Sequence, residues 1–366
     1  MERSLTDRPE IDRLYLDHAA TTPILPVARA AVADGMAHWA NPSSPHAQGR
    51  AARAALEEAR RRIAAAYGWA GETMLTSGAS EGLAIAIERN LADRRLISAV
   101  EHDSVLRHSE GAGALPVGAE GMVDLAALRA ALDGPRALVA VQWANSETGV
   151  RQPIGEIGTI VHDAGGLLLV DAAQMPARAD ESVIRHADLI VVSGHKRGGP
   201  VGVGALLVRD FGSLFPTGGQ EKGYRPGTEN LPGALGFAAA LDESEDIARL
   251  AVLRARLDAA IEAAGGEVVA KGSPRHPAIG GYRMPGVSAA SQLIRFDMQG
   301  ISVSAGSACS SGSMRPSHVL IAMGWSEAAT REVVRVSFGR DTRTPDIDRF
   351  AAAWTEIARD ARMRAA

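Results

Sequence analysis

A repeated order of strand, turn and helix between about residues 68 and 210 constrains this chain most strongly. Short apolar runs read as strands, and helix-like stretches separate most of them. The predicted strands are 73–76, 95–100, 137–141, 167–170, 189–192 and 205–208. The predicted helices between them include 81–91, 125–132 and 154–164. This alternation predicts an α/β fold with a mostly parallel sheet whose strands are buried between helices on both faces.

The pattern changes after residue 228, and a chain of 366 residues is too long for one compact core. We therefore predict a large domain over 15–245 and a smaller α+β domain formed by 1–14 and 246–366. The predicted elements after the change are long helices over 230–264, strands near 267–269 and 292–296, a helix at 316–323, a strand at 333–338 and a helix after 344. A Gly/Ser-rich segment at about 304–313 is expected to be a mobile loop.

Composition argues against several classes of function. A formal net charge of −4 favours neither a nucleic-acid partner nor an anionic membrane surface. The apolar runs are too short to cross a bilayer, and the N-terminal residues lack the apolar centre of a secretory signal. A single cysteine, Cys309, excludes intrachain disulfides and multi-cysteine zinc sites. We expect a cytoplasmic protein without a metal site.

Polar residues follow four consecutive predicted strands at the points where these strands end. The strand ends lead to His102, Asn145, Asp171 and Lys196. Ligands of parallel α/β sheets bind at the carboxyl ends of the strands. The four strand ends therefore predict one site at a single edge of the sheet.

Lys196 and Asp171 suggest the chemistry of that site. Lysines usually lie on the surface, but a lysine at a rigid strand end can form a Schiff base with a carbonyl cofactor. Asp171 is either an ordinary loop carboxylate or a partner that keeps a ring nitrogen protonated, as the electron sink pyridoxal 5′-phosphate (PLP) requires. Gln174, three residues later, could donate a hydrogen bond to the ring hydroxyl of such a cofactor.

Several neighbouring segments offer contacts for a phosphate group and a planar ring. The segment 76–81, Thr-Ser-Gly-Ala-Ser-Glu, reads equally well as an ordinary helix cap and as a phosphate cradle at a helix start. Ser193 and His195 flank Lys196 and could bind the same phosphate. His102 is either an ordinary loop histidine or a residue that stacks on a planar cofactor and shuttles protons.

Arg335 and Cys309 are candidates for contact with a substrate. Most strand arginines point to solvent, but Arg335 could hold a carboxylate through two hydrogen bonds. A lone cysteine is by default a small buried hydrophobic residue. Cys309, however, lies in the Gly/Ser/Ala-rich segment, which cannot bury much apolar surface. We therefore expect an exposed sulfur on a mobile loop, suited to act as a nucleophile.

Taken together, these motifs resemble the cysteine desulfurases of the NifS/IscS type, within the class V aminotransferase-like group of fold-type-I PLP enzymes. The resemblance covers nearly the whole chain. Its motifs are the segments 14–23, 41–46, 76–81, 145–149, 171–174, 193–196, 225–230, 306–309 and 335–340.

The resemblance implies a role for each candidate residue. Lys196 would bind PLP covalently, His102 would stack on its ring, and Cys309 would take the substrate sulfur. Asn145 and Arg335 would orient the substrate carboxylate. The implied cofactor contacts are Ala79, Ser80, His102, Asn145, Asp171, Gln174, Ser193, His195, Lys196 and Thr228. In this family the equivalent of Thr228 comes from the other subunit, which implies a homodimer with shared active sites.

The implied reaction converts L-cysteine to L-alanine and leaves a persulfide on Cys309. A protein acceptor, such as an iron–sulfur scaffold or a sulfur carrier in tRNA thiolation, would then take the sulfur. Departures from the family pattern at Ser80, Gly82, Ser146 and Val201 remove no catalytic group but leave the acceptor open. Two alternatives remain: a selenocysteine lyase or other class V reaction such as transamination, and a PLP-fold protein that acts mainly as a sulfur carrier or scaffold-binding partner.

Overall fold

The computed structural model describes residues 13–306 and 315–365. The strands of this part of the chain, numbered in order, are β1 (Leu14–Tyr15), β2 (Glu72–Thr76), β3 (Arg94–Ser98), β4 (Gly113–Leu115), β5 (Ala137–Gln142), β6 (Leu167–Asp171), β7 (Leu189–Ser193), β8 (Gly204–Val208), β9 (Glu267–Val268), β10 (Ile279–Arg283), β11 (Ile301–Ser302), β12 (Ser304–Ala305) and β13 (Val333–Ser337).

Its α-helices are α1 (Pro26–Ala37), α2 (Ala47–Ala66), α3 (Ala79–Glu88), α4 (Asp103–Leu106), α5 (Leu125–Ala131), α6 (Ile154–Asp163), α7 (Glu181–His186), α8 (Leu231–Asp242), α9 (Ile247–Ala263), α10 (Ala289–Met298), α11 (His318–Ala322), α12 (Glu327–Thr330) and α13 (Thr344–Ala365).

Seven strands form the large sheet, in the spatial order β2-β8-β7-β6-β5-β3-β4. The strands from β4 to β7 pair in parallel, whereas β8 is antiparallel to both of its neighbours, β7 and β2. Only β8 therefore runs in the opposite direction, and the other six strands end at one edge of the sheet. This arrangement confirms the mostly parallel α/β sheet that the sequence predicts.

Burial on both faces explains the continuous apolar strands. Every residue of β5, β6, β7 and β8 is buried. Alternate side chains pack against α2, α6 and α8 on one face and against α3 on the other. Since both faces exclude water, the only polar positions these strands tolerate are at their ends.

A second core forms around the smaller sheets. In the described residues these are a four-stranded antiparallel sheet, β12-β13-β10-β9, and a parallel pair, β1-β11. Helices α9, α10 and α13 cover this core, where Trp354 of α13 packs against Phe296 of α10 at a ring distance of 6.3 Å. Leu14 joins the same core through its pairing with Ile301. The domain division at residue 245 stays a prediction.

One sequence prediction in this region is wrong. The segment 292–296 was expected to be a strand, but it lies inside α10. The Ser288 hydroxyl caps that helix by accepting a hydrogen bond from Ser291 N, and its buried residues Ala289, Gln292 and Phe296 follow helical spacing.

The predicted mobile loop at 304–313 also needs revision at its start. Ser304 and Ala305 form β12, which pairs with β13. The rest of the predicted loop after Gly306, including Cys309, lies outside the described residues.

The loop after β5 connects the large sheet to the segment that precedes β10 of the smaller sheet. Gly149 accepts a hydrogen bond from His276 N at 2.6 Å, and Arg151 N donates to Pro274 O at 2.8 Å. Gly149 has a φ of +79°, and a Cβ there would lie 2.3 Å from Ile279 O. The close approach of the smaller sheet to this loop therefore requires glycine.

The described helices include none that is both long enough and apolar enough to cross a bilayer.

We predict that Trp354→Ala lowers the free energy of unfolding by about 3–5 kcal/mol, because it removes a fully buried ring from the second core. Met363→Ala on the same helix is the matched control; its side chain is 65% exposed, and we expect a change below about 0.5 kcal/mol. Urea unfolding followed by circular dichroism measures both, and equal stabilities of the two variants would contradict this account of the core.

Candidate active site

Lys196 lies just beyond the carboxyl end of β7. A single 3₁₀ turn, His195–Arg197, follows the strand and ends at Gly198 with a φ of +80°. Thr22 fastens this turn, since its hydroxyl donates to Lys196 O at 3.1 Å and its N–H donates to His195 O at 2.9 Å. Burial lowers the pKa of Lys196 to about 8; the negative charge of Asp171 opposes the shift, and the positive charge of Arg335 adds to it.

Asp171 ends β6, the neighbouring strand. Its side chain is buried, and one carboxylate oxygen accepts a hydrogen bond from Ala173 N at 2.9 Å. A buried carboxylate is stable only when charged or hydrogen-bonding partners offset its lost hydration. Lys196 supplies a positive charge close enough to interact with it.

A second buried carboxyl group lies close enough to Asp171 to interact with it. Glu101 is fully buried, and its Oε1 accepts a hydrogen bond from Gln142 N at 2.9 Å. Burial raises the pKa of Glu101 well above its usual range, and the negative charge of Asp171 adds to the rise. The raised pKa favours the protonated, neutral form of Glu101.

Gln174 connects the site to the N-terminal segment. Its side chain is buried, and Nε2 donates to Ala19 O at 2.9 Å. One N–H of this amide is therefore already in use, while a second N–H remains for a ligand. The predicted contact with a ring hydroxyl stays a prediction.

The start of α3 forms a concave backbone surface at the same edge. Gly78 precedes this helix with a φ of +151°, and no side chain caps the helix start. Gly204 of β8 pairs with Thr76 on one side and with Ser193 on the other, and a Cβ at Gly204 would lie 2.9 Å from Gly78, so Ser193 and the segment before α3 flank the same glycine. Uncapped N–H groups at the start of a ten-residue helix are suited to bind an anion such as phosphate.

Ser193 and His195 also lie at this edge. The hydroxyl of Ser193 is buried and has no hydrogen-bond partner among the described residues. A buried hydroxyl without a hydrogen-bond partner lowers the stability of the fold unless a ligand forms the missing hydrogen bond. His195 Nδ1 lies 3.1 Å from Thr21 Oγ1, and burial lowers its pKa, with further lowering by Lys196.

His102 follows β3 and caps the short helix α4. Its Nδ1 accepts a hydrogen bond from Ser104 N at 3.1 Å and lies 2.8 Å from Ser104 Oγ. Desolvation lowers the pKa of His102, and the positive charge of Lys196 lowers it further. The ring is thus neutral near pH 7 and lies within electrostatic reach of Lys196.

Arg335 brings a positive charge from the smaller sheet. The residue is buried; Nη2 pairs with Asp17 Oδ1 at 2.7 Å, and Nη1 donates to Ser146 O at 3.1 Å. Its buried Nε has no hydrogen-bond partner among the described residues. Asp17 therefore fixes the guanidinium and leaves a donor for a further anion.

Asn145 has a different environment from the one expected. Its Oδ1 accepts from Glu147 N and Thr148 N, both at 2.9 Å, and its Nδ2 donates to Val100 O at 3.1 Å. The side chain is therefore engaged in shaping the loop after β5. The predicted contact of Asn145 with a substrate or cofactor stays a prediction.

Glu147 in the same loop contacts the residues on both sides of the segment that carries Cys309. Its Oε2 accepts a hydrogen bond from Ser317 Oγ at 2.6 Å. A Cβ on Gly306 would lie 2.2 Å from that oxygen, so the carboxylate packs closely against this glycine. Cys309 itself lies outside the described residues.

Thr228 is exposed on a loop that contacts the start of α3. Arg225 of this loop pairs with Glu81 of α3 at 3.0 Å. An exposed Thr228 is compatible with contact to a second subunit, and that contact stays a prediction.

Sequence reasoning named Glu101 at the end of a strand without giving it a role, and it did not single out four other residues that shape the site: Asp17, Ser104, Glu147 and His318. Two of them, Asp17 and Glu147, lie inside quoted motifs, but their partners Arg335 and Ser317 come from distant parts of the chain. Ser104 could have been noticed from its position, two residues after His102 and at the start of a helix.

Among the described residues, no group of three or more His, Cys, Asp or Glu side chains is placed to bind a metal ion. The site instead joins a lysine, a buried carboxylate, an anion-binding edge and an arginine. This arrangement suits a carbonyl cofactor that carries a phosphate and a substrate that carries a carboxylate.

Comparisons with known proteins show the family to which the chain belongs. The family model described as "Aminotransferase class-V" matches residues 14–350. The cysteine desulfurase of Cereibacter sphaeroides is 38% identical, covering 93% of this chain and 94% of that protein. The IscS-like cysteine desulfurase of Mycobacterium tuberculosis is 37% identical, covering 91% and 93%.

A solved structure agrees as well. The NifS-like protein from Rickettsia africae superposes with a TM-score of 0.84 at 31% identity, covering 94% of this chain and 99% of that one. The chain therefore belongs to the class-V aminotransferase family, and proteins named cysteine desulfurase are among its relatives.

Proposed function

We propose that this protein is a PLP-dependent cysteine desulfurase, which converts L-cysteine to L-alanine and keeps the sulfur as a persulfide on Cys309. The observation that carries the proposal is the position of Lys196 beside Asp171 at the ends of two parallel strands. The names of the similar proteins support the same activity.

The residues at the sheet edge fit PLP. Ser193 offers a buried, unpartnered hydroxyl, and the uncapped start of α3 offers backbone N–H groups, both suited to the phosphate. Asp171 offers a buried carboxylate, which suits a protonated ring nitrogen. In our proposal Ala79, Ser80, Ser193 and His195 hold the phosphate, Asp171 and Gln174 hold the ring, and Lys196 holds the aldehyde carbon.

When bound, PLP supplies an electron sink for negative charge that develops on the carbon next to the substrate amino group. Lys196 is suited to assist, because its lowered pKa makes the neutral amine available near neutral pH as a nucleophile and as a proton acceptor.

Arg335 is the proposed holder of the substrate carboxylate. Asp17 and Ser146 O fix two of its nitrogens, and Nε remains for the substrate. Asn145, with its amide engaged in the loop, is proposed to assist by shaping the backbone that Arg335 contacts.

Cys309 is the proposed sulfur acceptor. Its thiolate forms an S–S bond to the substrate sulfur as the substrate C–S bond breaks, and the electron pair of that bond stays with carbon. Protonation of this carbon gives L-alanine. Glu147 supports the assignment, because it contacts Gly306 and Ser317, which flank the segment carrying Cys309.

The remaining expectations belong to the same proposal. We propose a homodimer in which Thr228 completes the partner's site, and a protein sulfur acceptor such as an iron–sulfur scaffold or a sulfur carrier. The cytoplasmic location stays a prediction. Selenocysteine lyase and transamination are the alternative reactions, because the Lys196 and Asp171 arrangement would serve them equally well.

We predict that Lys196→Ala abolishes the visible absorption band of bound PLP and lowers alanine formation from L-cysteine at least a hundredfold or so. Lys271→Ala is the matched control, since Lys271 is exposed and paired with Glu262. Absorption spectra and an alanine assay of both variants measure the effect. A Lys196→Ala enzyme with normal spectrum and activity would contradict the assignment.

We predict that the cofactor-free enzyme captures PLP faster as the pH rises from neutrality, and that the rate levels off above a pH of about 8. With a pKa of about 8, half of the Lys196 amine is neutral at that pH, and the neutral, attacking form predominates at higher pH. Growth of the visible band measures the rate, with Nα-acetyl-lysine in parallel to account for the ionisation of PLP itself. A rate that continues to climb to about pH 10, the range of an ordinary lysine, would contradict the effect of burial.

We predict that Cys309→Ala retains the visible PLP band but forms no persulfide, and that its alanine formation from L-cysteine is lost. Labelled cysteine followed by mass spectrometry of the protein detects the persulfide, and turnover of selenocysteine is measured in parallel. Undiminished reaction of Cys309→Ala with both amino acids would contradict desulfuration and favour transamination or a lyase reaction.

A further inference from the structure

The ring of His102 is held through one nitrogen. Ser104 N–H points at Nδ1 from 3.1 Å, and a backbone N–H can only donate. Nδ1 must therefore be the acceptor, and the neutral ring carries its proton on Nε2. Within the described part of the chain, Nε2 has no hydrogen-bond partner, so it remains for a ligand.

The side chain of Ser104 joins this ring to the phosphate-binding edge. Its hydroxyl lies 2.8 Å from His102 Nδ1 and 3.0 Å from Ser80 Oγ. Ser104 is buried, whereas His102 and Ser80 are both exposed. The buried hydroxyl therefore bridges two residues at the surface of the site. A hydroxyl has a single proton, and we assign it to the bond with Nδ1, which leaves the Ser80 proton for Ser104 or for a phosphate.

We propose that Ser104 is a positioning residue that holds His102 in its Nε2–H form, so that His102 meets the bound substrate as a hydrogen-bond donor and not as a proton acceptor. This inference rests on the proposed function, because it concerns the same site. It revises the proton-shuttle role expected from the sequence. Proton removal from the substrate falls to Lys196, whose neutral amine is available near neutral pH.

Other charged groups around His102 are unchanged when the Ser104 hydroxyl is removed. Lys196 from the β7 end and His318 from α11 disfavour the protonated ring, whereas Asp171 from the β6 end and Asp103 from α4 favour it. His318 also fixes the preceding residue, with Nε2 at 2.9 Å from Glu101 O. Ser104→Ala therefore tests one hydrogen bond in a constant electrostatic setting.

The test uses the PLP-loaded enzyme labelled with ¹⁵N-histidine. Long-range ¹H–¹⁵N correlation spectra distinguish a protonated from an unprotonated ring nitrogen, and His102→Gln identifies the His102 signals. We expect wild type to show protonated Nε2 and unprotonated Nδ1. Ser104→Ala retains the backbone N–H that donates to Nδ1, so the Nε2–H form should persist, but His102 should become protonated at higher pH because the ring loses one of two donors that favour its neutral state.

Kinetics provide a second readout. We expect Ser104→Ala to lower kcat for alanine formation about fivefold, the size expected for one hydrogen bond, with little change in KM. Ser104→Thr retains the hydroxyl and should restore the wild-type spectrum. Ser109→Ala is the matched control, since this nearby hydroxyl bonds only to Leu106 O at 2.6 Å, and it should match wild type in both measurements.

Two results would overturn the inference: protonated Nδ1 in neutral His102 of wild type, or a Ser104→Ala enzyme that matches wild type in both spectrum and kcat. Failure of the proposed function gives a different result. An enzyme that forms no alanine from cysteine but shows the Nε2–H form of His102, with His102 protonated at higher pH in Ser104→Ala than in wild type, would support the inference and contradict desulfuration.

Discussion

The parallel pairing of β5, β6 and β7 is the constraint on which the site depends. Because these strands run in one direction, Gln142, Asp171 and Ser193 end at the same edge, and the turn after β7 places Lys196 beside Asp171. The reversed strand β8 completes the edge. Its first residue, Gly204, pairs with Thr76 on one side and with Ser193 on the other, so the segment before α3 and Ser193 flank the same glycine.

Charges at this edge are controlled by burial and by the second core. Burial favours the neutral forms of Lys196 and Glu101, and the buried side chain of Asp171 interacts with both. Arg335 reaches the same edge from the smaller sheet, fixed by Asp17 and Ser146 O. The loop after β5 thus connects Arg335 of the smaller sheet to the edge of the large sheet.

The sequence predicted the large sheet well, because the spacing of apolar residues and the length of apolar runs depend directly on which residues are buried. The parallel arrangement places the carboxyl ends of these strands at one edge. The sequence could therefore predict that Lys196, Asp171, His102 and Ser193 lie together. The smaller domain was harder. β10 reads Ile-Gly-Gly-Tyr-Arg, which has little intrinsic strand preference and becomes a strand through its pairing with β9 and β13. The segment 292–296 has apolar residues typical of a strand, but the Ser288 cap and the spacing of buried residues make it helical.

The environment of individual side chains could not be predicted, since it depends on contacts between distant segments. Asn145 was expected to bind ligands and is engaged in its own loop, while Ser104 was overlooked and bridges His102 to Ser80.

The most direct measurement of the central claim is reduction of the PLP-loaded enzyme with borohydride, followed by digestion and mass spectrometry. Reduction makes the bond between cofactor and lysine permanent. The chain has three lysines, Lys196, Lys222 and Lys271, so the attachment point is unambiguous. The account predicts a phosphopyridoxyl group on Lys196 alone. Labelling of Lys222 or Lys271 in its place, or no labelled lysine, would contradict it.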